Sequence, residues 1–363
     1  MSKKLREPLF HIAKRTGIPA WKAWLIRTAA VLAALIVCAL FVVMVTDLNP
    51  LQVYKAMFEG AFGTNRRIWV TVQNTALLLC VSLAVTPAFK MRFWNIGAEG
   101  QVIAGCIATT ACMILLGNKV PSPVLILIIA AASIAAGVIW AVIPAVFKAI
   151  WNTNETLFTL MMNYIAIQFA SYLCTVWENP AGSSQIGVIN GSTHSGWLPD
   201  LFGKKYLINI VIVFVLTIVM YVYLKYSKHG YEIAVVGESQ NTARYVGMNV
   251  KKIIIRTMAL SGALCGVAGM LIVSGTDHTL SPESARGHGF TAIMVSWLAK
   301  FNPLMMFLTS LLIIFLQRGA SQIATQFRLN EAIADILTGI ILFFIIGCEF
   351  FINYEIKRTH KEG

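Results

Sequence analysis

Residues 123–147 read PVLILIIAAASIAAGVIWAVIPAVF, a run without a single charged side chain. At a rise of about 1.5 Å per residue, a helix of this length measures about 37 Å and exceeds the ~30 Å hydrocarbon thickness of a bilayer. A soluble domain would interrupt such a run with charge at a period of about 2 or 3.6 residues. The stretch therefore predicts a membrane-spanning helix.

Similar apolar blocks occur along the whole chain of 363 residues. The ten predicted segments are 28–46, 68–89, 93–117, 123–147, 156–177, 206–224, 257–275, 288–299, 304–317 and 332–352. The composition agrees, because 57% of the residues are apolar and 12% are charged, about half the charged share of a soluble protein. We predict an all-α polytopic membrane protein. Segment 288–299, at about 18 Å, is too short to span and predicts a half-helix or a broken span.

Basic residues outnumber acidic ones, and the formal net charge is +13. They flank the apolar blocks, which favours a membrane face over nucleic acid as the explanation. With the N-terminus inside, 20 of the 29 Lys and Arg residues lie on the inner side, so both termini are predicted to be cytoplasmic. The predicted domains are a basic segment 1–27, a permease domain 28–352 with an outer loop 178–205 and an inner loop 225–256, and a tail 353–363.

The sequence gives no sign of an enzyme. All seven cysteines lie in apolar blocks, so no disulfide framework is predicted. The phosphate-binding, zinc-protease and nucleophile-elbow motifs are missing, as is C-x-x-C, and the six histidines are scattered. We therefore expect no catalytic residue, no metal and no cofactor in this chain.

Polar residues inside the apolar blocks are costly and therefore informative. The densest group is residues 93–101, FWNIGAEGQ, at the start of the third segment. Asn95 and Glu99 are four residues apart and are predicted to share a helix face, while the two glycines permit close helix contact or an unwound turn. Two interpretations of Glu99 are open. It lines a solute pathway, or it lies near the inner interface, paired with Arg92 or capping a helix end.

A second glycine-rich opening, RGHGFT at residues 286–291, begins the short eighth segment from the opposite face. If segments two to five and seven to ten are inverted repeats, the third segment corresponds to the eighth and this opposition follows. Other polar side chains at membrane depth are open to two interpretations, helix-to-helix hydrogen bonds or a wet interior. They are Gln73, Asn74, Asn163, Gln168 and Asp335.

The inner loop contains ESQNTARYVG at residues 238–247, which predicts one short polar helix closed by glycine. Such a helix between two spans suits contact with a soluble partner. The outer loop 178–205 is rich in Gly, Ser, Asn and Pro. A docking surface, a lid and a spacer are all open interpretations of it.

These stretches carry a family likeness. The chain resembles the permease subunits of bacterial ABC importers for simple sugars and nucleosides, within the group that includes branched-chain amino acid permeases. The likeness covers nearly the whole chain, and its most specific element is NIGAEGQ at 95–101. Residues 236–250 resemble the cytoplasmic coupling segment of the family, and GFTAI at 289–293 and Asn302-Pro303 resemble its eighth and ninth segments. Trp297, and Trp94 in place of phenylalanine, depart from the family pattern and imply a differently shaped cavity.

The resemblance implies a type II importer architecture in the bacterial plasma membrane. It implies a cytoplasmic ATPase that binds ATP and Mg, an extracytoplasmic binding lipoprotein and a second permease subunit forming a heterodimer. The residues expected to line the substrate pathway are Asn74, Trp94, Asn95, Glu99, Gln101, Asn163 and Phe290. Those expected to couple to the ATPase are Gly237, Glu238, Asn241, Arg244, Tyr245 and Gly247.

Two hypotheses from different classes follow. The favoured one is an importer permease that moves a nucleoside or simple sugar with energy from the partner ATPase. The alternative is an ion-coupled secondary transporter of a small polar solute, since Glu99 and Asp335 are carboxylates at membrane depth and such groups often relay protons. The substrate itself is not predicted.

Overall fold

A computed structural model describes residues 10–15, 19–46, 48–117 and 119–358, which form thirteen α-helices and two strands. The helices are α1 (Ala20–Val45), α2 (Pro50–Phe62), α3 (Asn65–Lys90), α4 (Ala98–Leu116), α5 (Ser122–Trp151), α6 (Glu155–Val176), α7 (Leu207–Tyr226), α8 (Lys228–Glu238), α9 (Gln240–Tyr245), α10 (Val250–Ile272), α11 (His288–Leu298), α12 (Pro303–Phe327) and α13 (Glu331–Asn353). The strands are β1 (Phe10–Lys14) and β2 (Tyr354–Arg358). A π-helical turn, Val273–Asp277, extends α10.

Nine helices in the described ranges are long and apolar enough to cross a membrane, and they correspond to nine of the ten predicted segments. They are α1, α3, α4, α5, α6, α7, α10, α12 and α13. The tenth segment is α11, whose 11 residues extend about 16 Å. The prediction of an all-α polytopic membrane protein is confirmed, and α11 has the length of a half-helix.

The structure differs from the sequence-based boundaries in two places that matter for the site. The third segment was predicted from residue 93, but α4 begins at Ala98, and the chain before it is not helical. Asn95 therefore lies outside the helix, and the prediction that it shares a helix face with Glu99 is wrong. The seventh segment was predicted to begin at residue 257, but α10 begins at Val250. The apolar pattern did not include the first two turns of α10, because they contain charged residues.

The chain divides into two compact units, Trp69–Ile314 and a unit made of Met1–Ile68 with Phe315–Gly363. In the second of these, α1 packs on α13, and Arg27 forms an ion pair of 2.7 Å with Glu349. The strands β1 and β2 pair antiparallel, with Phe10 opposite Arg358 and Lys14 opposite Tyr354. The orientation of the termini stays a prediction. The division into 1–27, 28–352 and 353–363 stays a prediction.

In unit Trp69–Ile314, α10 is the central helix and packs tightly against α4 and α5. Glycines form these contacts. A Cβ added to Gly105 would lie 2.9 Å from the Cα of Gly266, and one added to Gly137 would overlap the carbonyl of Gly262. Close backbone approach of this kind is how helices associate where lipid removes the hydrophobic driving force. The glycine contacts fix the position of α4, on which the candidate site is built.

Candidate functional site

The chain between α3 and α4, residues 91–97, is unwound, and α6 supplies the hydrogen bonds that it lacks. Asn163 donates from Nδ2 to the carbonyl of Ile96 (2.8 Å) and accepts at Oδ1 from the N–H of Gly100 (2.8 Å). Thr159 Oγ1 accepts from the N–H of Ile96 at 3.2 Å. Non-helical backbone is tolerated at membrane depth only where protein groups or water satisfy it. These two side chains of α6 therefore make the break possible.

A second set of bonds ties the unwound chain to α10. Asn95 accepts at Oδ1 from the N–H of Gly97 (3.0 Å) and from Gln101 Nε2 (3.2 Å), and its Nδ2 donates to Ser261 Oγ at 3.3 Å. Asn95 is fully buried and Gln101 nearly so. Ser261 lies near the middle of α10, so α4 begins about halfway along that helix.

Glu99 joins the start of α4 to the start of α11. Its Oε1 accepts from the N–H of Gly287 (2.8 Å) and its Oε2 from the N–H of Gly289 (2.7 Å). The side chain is 6% exposed. The first N–H groups of a helix have no partner within it, and the helix dipole favours an anion there. Glu99 therefore caps a helix end, which is one of the interpretations left open by the sequence, and the capped helix is α11. We call this contact the carboxylate junction.

Helices α4 and α11 leave the carboxylate junction in opposite directions. Helix α4 runs toward the end where the loop 178–205 lies, since Asn190 bonds the carbonyl of Met113 near its last turn. Helix α11 runs toward the other end, where its Trp297 stacks on Trp94 just after α3. This is the opposition that the inverted-repeat hypothesis predicts for the third and eighth segments.

An exposed aromatic surface lies beside the junction. Trp94 and Trp297 stack with ring centroids 5.9 Å apart, and each is about half exposed. Phe290, Met294 and Trp297 recur at i, i+4 and i+7 and share one face of α11. We call Trp94, Phe290, Met294 and Trp297 the aromatic face. It presents flat apolar rings on the outside of unit Trp69–Ile314.

The predicted pathway residues thus fall into two groups, apart from Asn74, which is half-buried on α3. Trp94 and Phe290 are exposed on the aromatic face, whereas the others are buried at the break and the junction. The buried ones are Asn95, Glu99, Gln101 and Asn163. A pathway role for all seven stays a prediction. Sequence reasoning missed Thr159, because nothing in a helix marks one threonine as the partner of a distant backbone break.

The loop 178–205, which is predicted to lie outside, is folded against the ends of three helices. Ser195 Oγ donates to the carbonyl of Gly117 beyond α4 (2.6 Å), the N–H of Gly196 donates to Ser122 Oγ at the start of α5 (3.2 Å), and the N–H of Leu198 donates to a carbonyl in the π-helical turn (2.9 Å). These bonds disfavour the interpretation of the loop as a free spacer. Beneath the loop lies a cavity of about 640 Å³ lined in part by Trp197 and His278. Burial lowers the pKa of His278 below its ordinary value.

The loop 225–256, which is predicted to lie inside, contains two helices, whereas the sequence predicted one. The predicted helix is α9, which begins after Ser239, whose Oγ accepts from the N–H of Thr242 at 3.2 Å. Gly247 follows it with φ +80°, a conformation that favours glycine. Helix α8, unpredicted, packs so closely at Gly237 that an added Cβ would overlap the carbonyl of Lys90.

The predicted coupling residues are mostly exposed on these two helices. Tyr245 is 91% exposed, and Arg244 is exposed with its Nη1 3.5 Å from Asn241 Oδ1. Glu238, the last residue of α8, is also exposed. Ala243 is fully buried and holds α9 against the rest of the chain. The arrangement presents one cation and one aromatic ring on a short, anchored helix.

Comparison with known proteins identifies the family to which this chain belongs. Residues 68–346 match the family described as branched-chain amino acid transport system / permease component, and the chain belongs to that family. It is similar to a glucose ABC transporter permease protein of Haloferax volcanii, with 26% identity over 353 residues that cover 94% of this chain and 92% of that protein.

Two further relatives are nucleoside permeases. A guanosine ABC transporter permease protein of Bacillus subtilis is 28% identical over 331 residues, which cover 89% of this chain and 92% of that protein. A nucleoside ABC transporter permease protein of Lactococcus lactis is 26% identical over 306 residues, which cover 82% and 84%. The chain is a multi-pass permease subunit of an ABC importer.

Proposed function

We propose that this permease moves a simple sugar or a nucleoside inward through the bacterial plasma membrane. The observation that carries the proposal is the exposed aromatic face beside the carboxylate junction, because flat rings stack well on sugar rings and bases. The named cargoes of the relatives, glucose, guanosine and nucleosides, are of the same two classes. The chain itself carries no catalytic group in this proposal. A partner ATPase binds ATP and Mg and supplies the energy.

In this proposal, the aromatic face borders the pathway, and a second permease subunit of a heterodimer provides the opposite wall. The rings of Trp94 and Phe290 contact the solute, and Asn74 lies along the same route. The buried Asn95, Glu99, Gln101 and Asn163 act by holding the unwound chain and α11 in place. An extracytoplasmic binding lipoprotein delivers the solute to the end that carries the folded loop 178–205.

The proposal is tested by copurification and uptake. The full-length chain, expressed from its own operon with an affinity tag, should copurify an ATPase. Cells that express the complex should accumulate labelled glucose, ribose, guanosine or uridine, and cells lacking the chain should not. Transport by the purified chain alone, driven by a proton gradient, would overturn the proposal in favour of the ion-coupled alternative with Glu99 and Asp335.

Loss of coupling is expected when the exposed side chains of α9 are removed. Arg244→Ala and Tyr245→Ala should each lower uptake and transport-stimulated ATP hydrolysis together, by at least about tenfold, since Arg and aromatic side chains dominate such contacts. The amount of inserted protein should not change, because both side chains are exposed. The matched control is Tyr231→Ala, a 65% exposed tyrosine on α8 that should transport normally. Normal uptake in both α9 variants would remove α9 from the coupling contact.

Labelling tests the proposed orientation, with both termini and α9 cytoplasmic and loop 178–205 outside. Ser192→Cys in the outer loop should react with a membrane-impermeant maleimide in intact cells, and Thr242→Cys on α9 should react only after lysis. Both native side chains are exposed. Six of the seven native cysteines are buried and Cys112 is half-buried, so the background is expected to be low. The reverse labelling pattern would invert the topology.

A further inference from the structure

Three cations line a small cavity between α8 and α10, and no residue of α9 or of the carboxylate junction is part of its lining. The cavity has a volume of about 220 Å³ and is lined by Lys228, Glu232, Asn249, Lys252, Ile253 and Arg256. Lys228 and Glu232 lie on one face of the first turns of α8, and Lys252 and Arg256 on one face of the first turns of α10. With Glu232 counted, the lining carries a net charge of +2.

The three cations share the cavity with one carboxylate, Glu232, but are not ion-paired with it. None of Lys228, Lys252 and Arg256 forms an ion pair with another side chain in the described ranges, not even with Glu232 across the cavity. The cavity also lies at the N-terminus of the 23-residue α10, where Asn249 Oδ1 accepts from the N–H of Lys252 at 3.1 Å. The positive end of the helix dipole adds to the positive potential there. The site is complementary to an anion.

The walls of the cavity are fixed. His229 follows Lys228 and is buried, with Nδ1 2.6 Å from the hydroxyl of Tyr223 on α7 and Nε2 3.2 Å from Thr257 Oγ1 on α10. Burial lowers the pKa of His229, so the ring is neutral at pH 7 and serves as a clamp. His229 therefore ties α8 to α7 and α10 beside the cavity, and the three cations of the lining are exposed there.

The position of the cavity along α8 and α10 indicates which class of anion it binds. Tyr221 and Tyr226 lie in the last two turns of α7 and Tyr231 in the first turn of α8, close along the chain to Lys228, and the last two are more than 60% exposed. Exposed tyrosines at the end of a spanning helix mark the boundary between hydrocarbon and water. The coupling contact proposed above uses Arg244 and Tyr245 of α9, which do not line this cavity. Basic pockets between helices at this boundary suit lipid headgroups. We infer that the cavity between α8 and α10 binds the phosphate headgroup of an anionic phospholipid of the inner leaflet.

Native mass spectrometry of the full-length chain in detergent tests this inference, with phosphatidylglycerol and phosphatidylcholine of equal acyl chains as probes. Phosphatidylglycerol should bind preferentially. Lys252→Gln and Arg256→Gln should each weaken its binding about fivefold, the effect of one basic residue near a membrane surface. Glu232→Gln should strengthen it by a similar factor. Lys251→Gln, a neighbouring exposed lysine outside the cavity lining, is the matched control and should bind like the wild type.

Other outcomes overturn the inference. Equal binding of both lipids, or equal losses in the control and in the cavity variants, would show nonspecific surface charge. Displacement of phosphatidylglycerol by micromolar inorganic phosphate would make the ligand a soluble anion. Loss of a copurifying ATPase with unchanged lipid binding would make this a protein contact. If Arg256→Gln does not fold, Lys228→Gln at the exposed start of α8 gives the same measurement. The inference rests on the orientation proposed above, which the labelling experiment tests separately.

Discussion

Glu99→Leu should reduce uptake to background, whereas Glu99→Gln should keep a substantial part of it. Leucine removes both acceptors of the carboxylate junction and leaves the half-buried N–H of Gly287 and the buried N–H of Gly289 without a partner. Each unsatisfied buried group costs about 1–3 kcal/mol, and the start of α11 would no longer be held against α4. Glutamine keeps the size and one acceptor oxygen. Uptake of the solute identified in the cellular assay, normalised to inserted protein, measures the effect.

The same pair of variants separates the two transport mechanisms. In a proton-coupled carrier the ionisable group itself is required, so Glu99→Gln would abolish accumulation as completely as leucine. In the ATP-driven importer no exchangeable proton is needed, because the carboxylate acts as a hydrogen-bond acceptor for backbone. Full activity of Glu99→Leu would exclude Glu99 from either mechanism.

Gly266→Leu should prevent stable assembly of the helix bundle. A Cβ at Gly266 would overlap the carbonyl of Ser133 on α5 and lie 2.9 Å from the Cα of Ile134. The obstructing atoms are backbone, so no side-chain movement relieves the overlap, and α5 and α10 must separate. The expected destabilisation is about 3 kcal/mol or more, at the upper end for overpacked cores. Thermal unfolding of the purified chain and the amount of inserted protein report it.

The control for this prediction is Gly339→Leu on α13. Nothing lies within 4 Å of a Cβ built at Gly339, and a leucine there has room. It should insert and unfold like the wild type. If Gly266→Leu also behaves like the wild type, the close contact of α5 and α10 does not exist in the folded protein.

The sequence was sufficient for the membrane segments, because an apolar run of about 20 residues has one common structural solution. It also indicated the short α11, since the length of the block between Arg286 and Lys300 limits the helix. It could not place the break before Ala98. Gly97 and Gly100 allow both helix and turn, and the decision depends on Thr159 and Asn163, more than 60 residues away along the chain.

The inner loop shows a similar limit. Helix α9 was predictable because Ser239 and Gly247 are ordinary start and stop residues. Helix α8 was not, because it begins two residues after α7 ends and its apolar side chains form no long run. The identity of Glu99 as a cap of α11 was one of several open interpretations, since a cap from another helix leaves no local pattern. Hydrogen bonds between residues that are far apart in the chain could not be predicted from the sequence.

The carboxylate junction also has an electrical consequence. A helix N-terminus is equivalent to about half a positive elementary charge, and two such ends, those of α4 and α11, meet at Glu99. Together they balance one ionised carboxylate, so the sum of charges at the junction is close to zero. A passing solute would then meet little net field at that depth. If the proposed pathway passes the junction, ions would lose their hydration there without an opposite charge to replace it, whereas the proposed uncharged sugars and nucleosides would not.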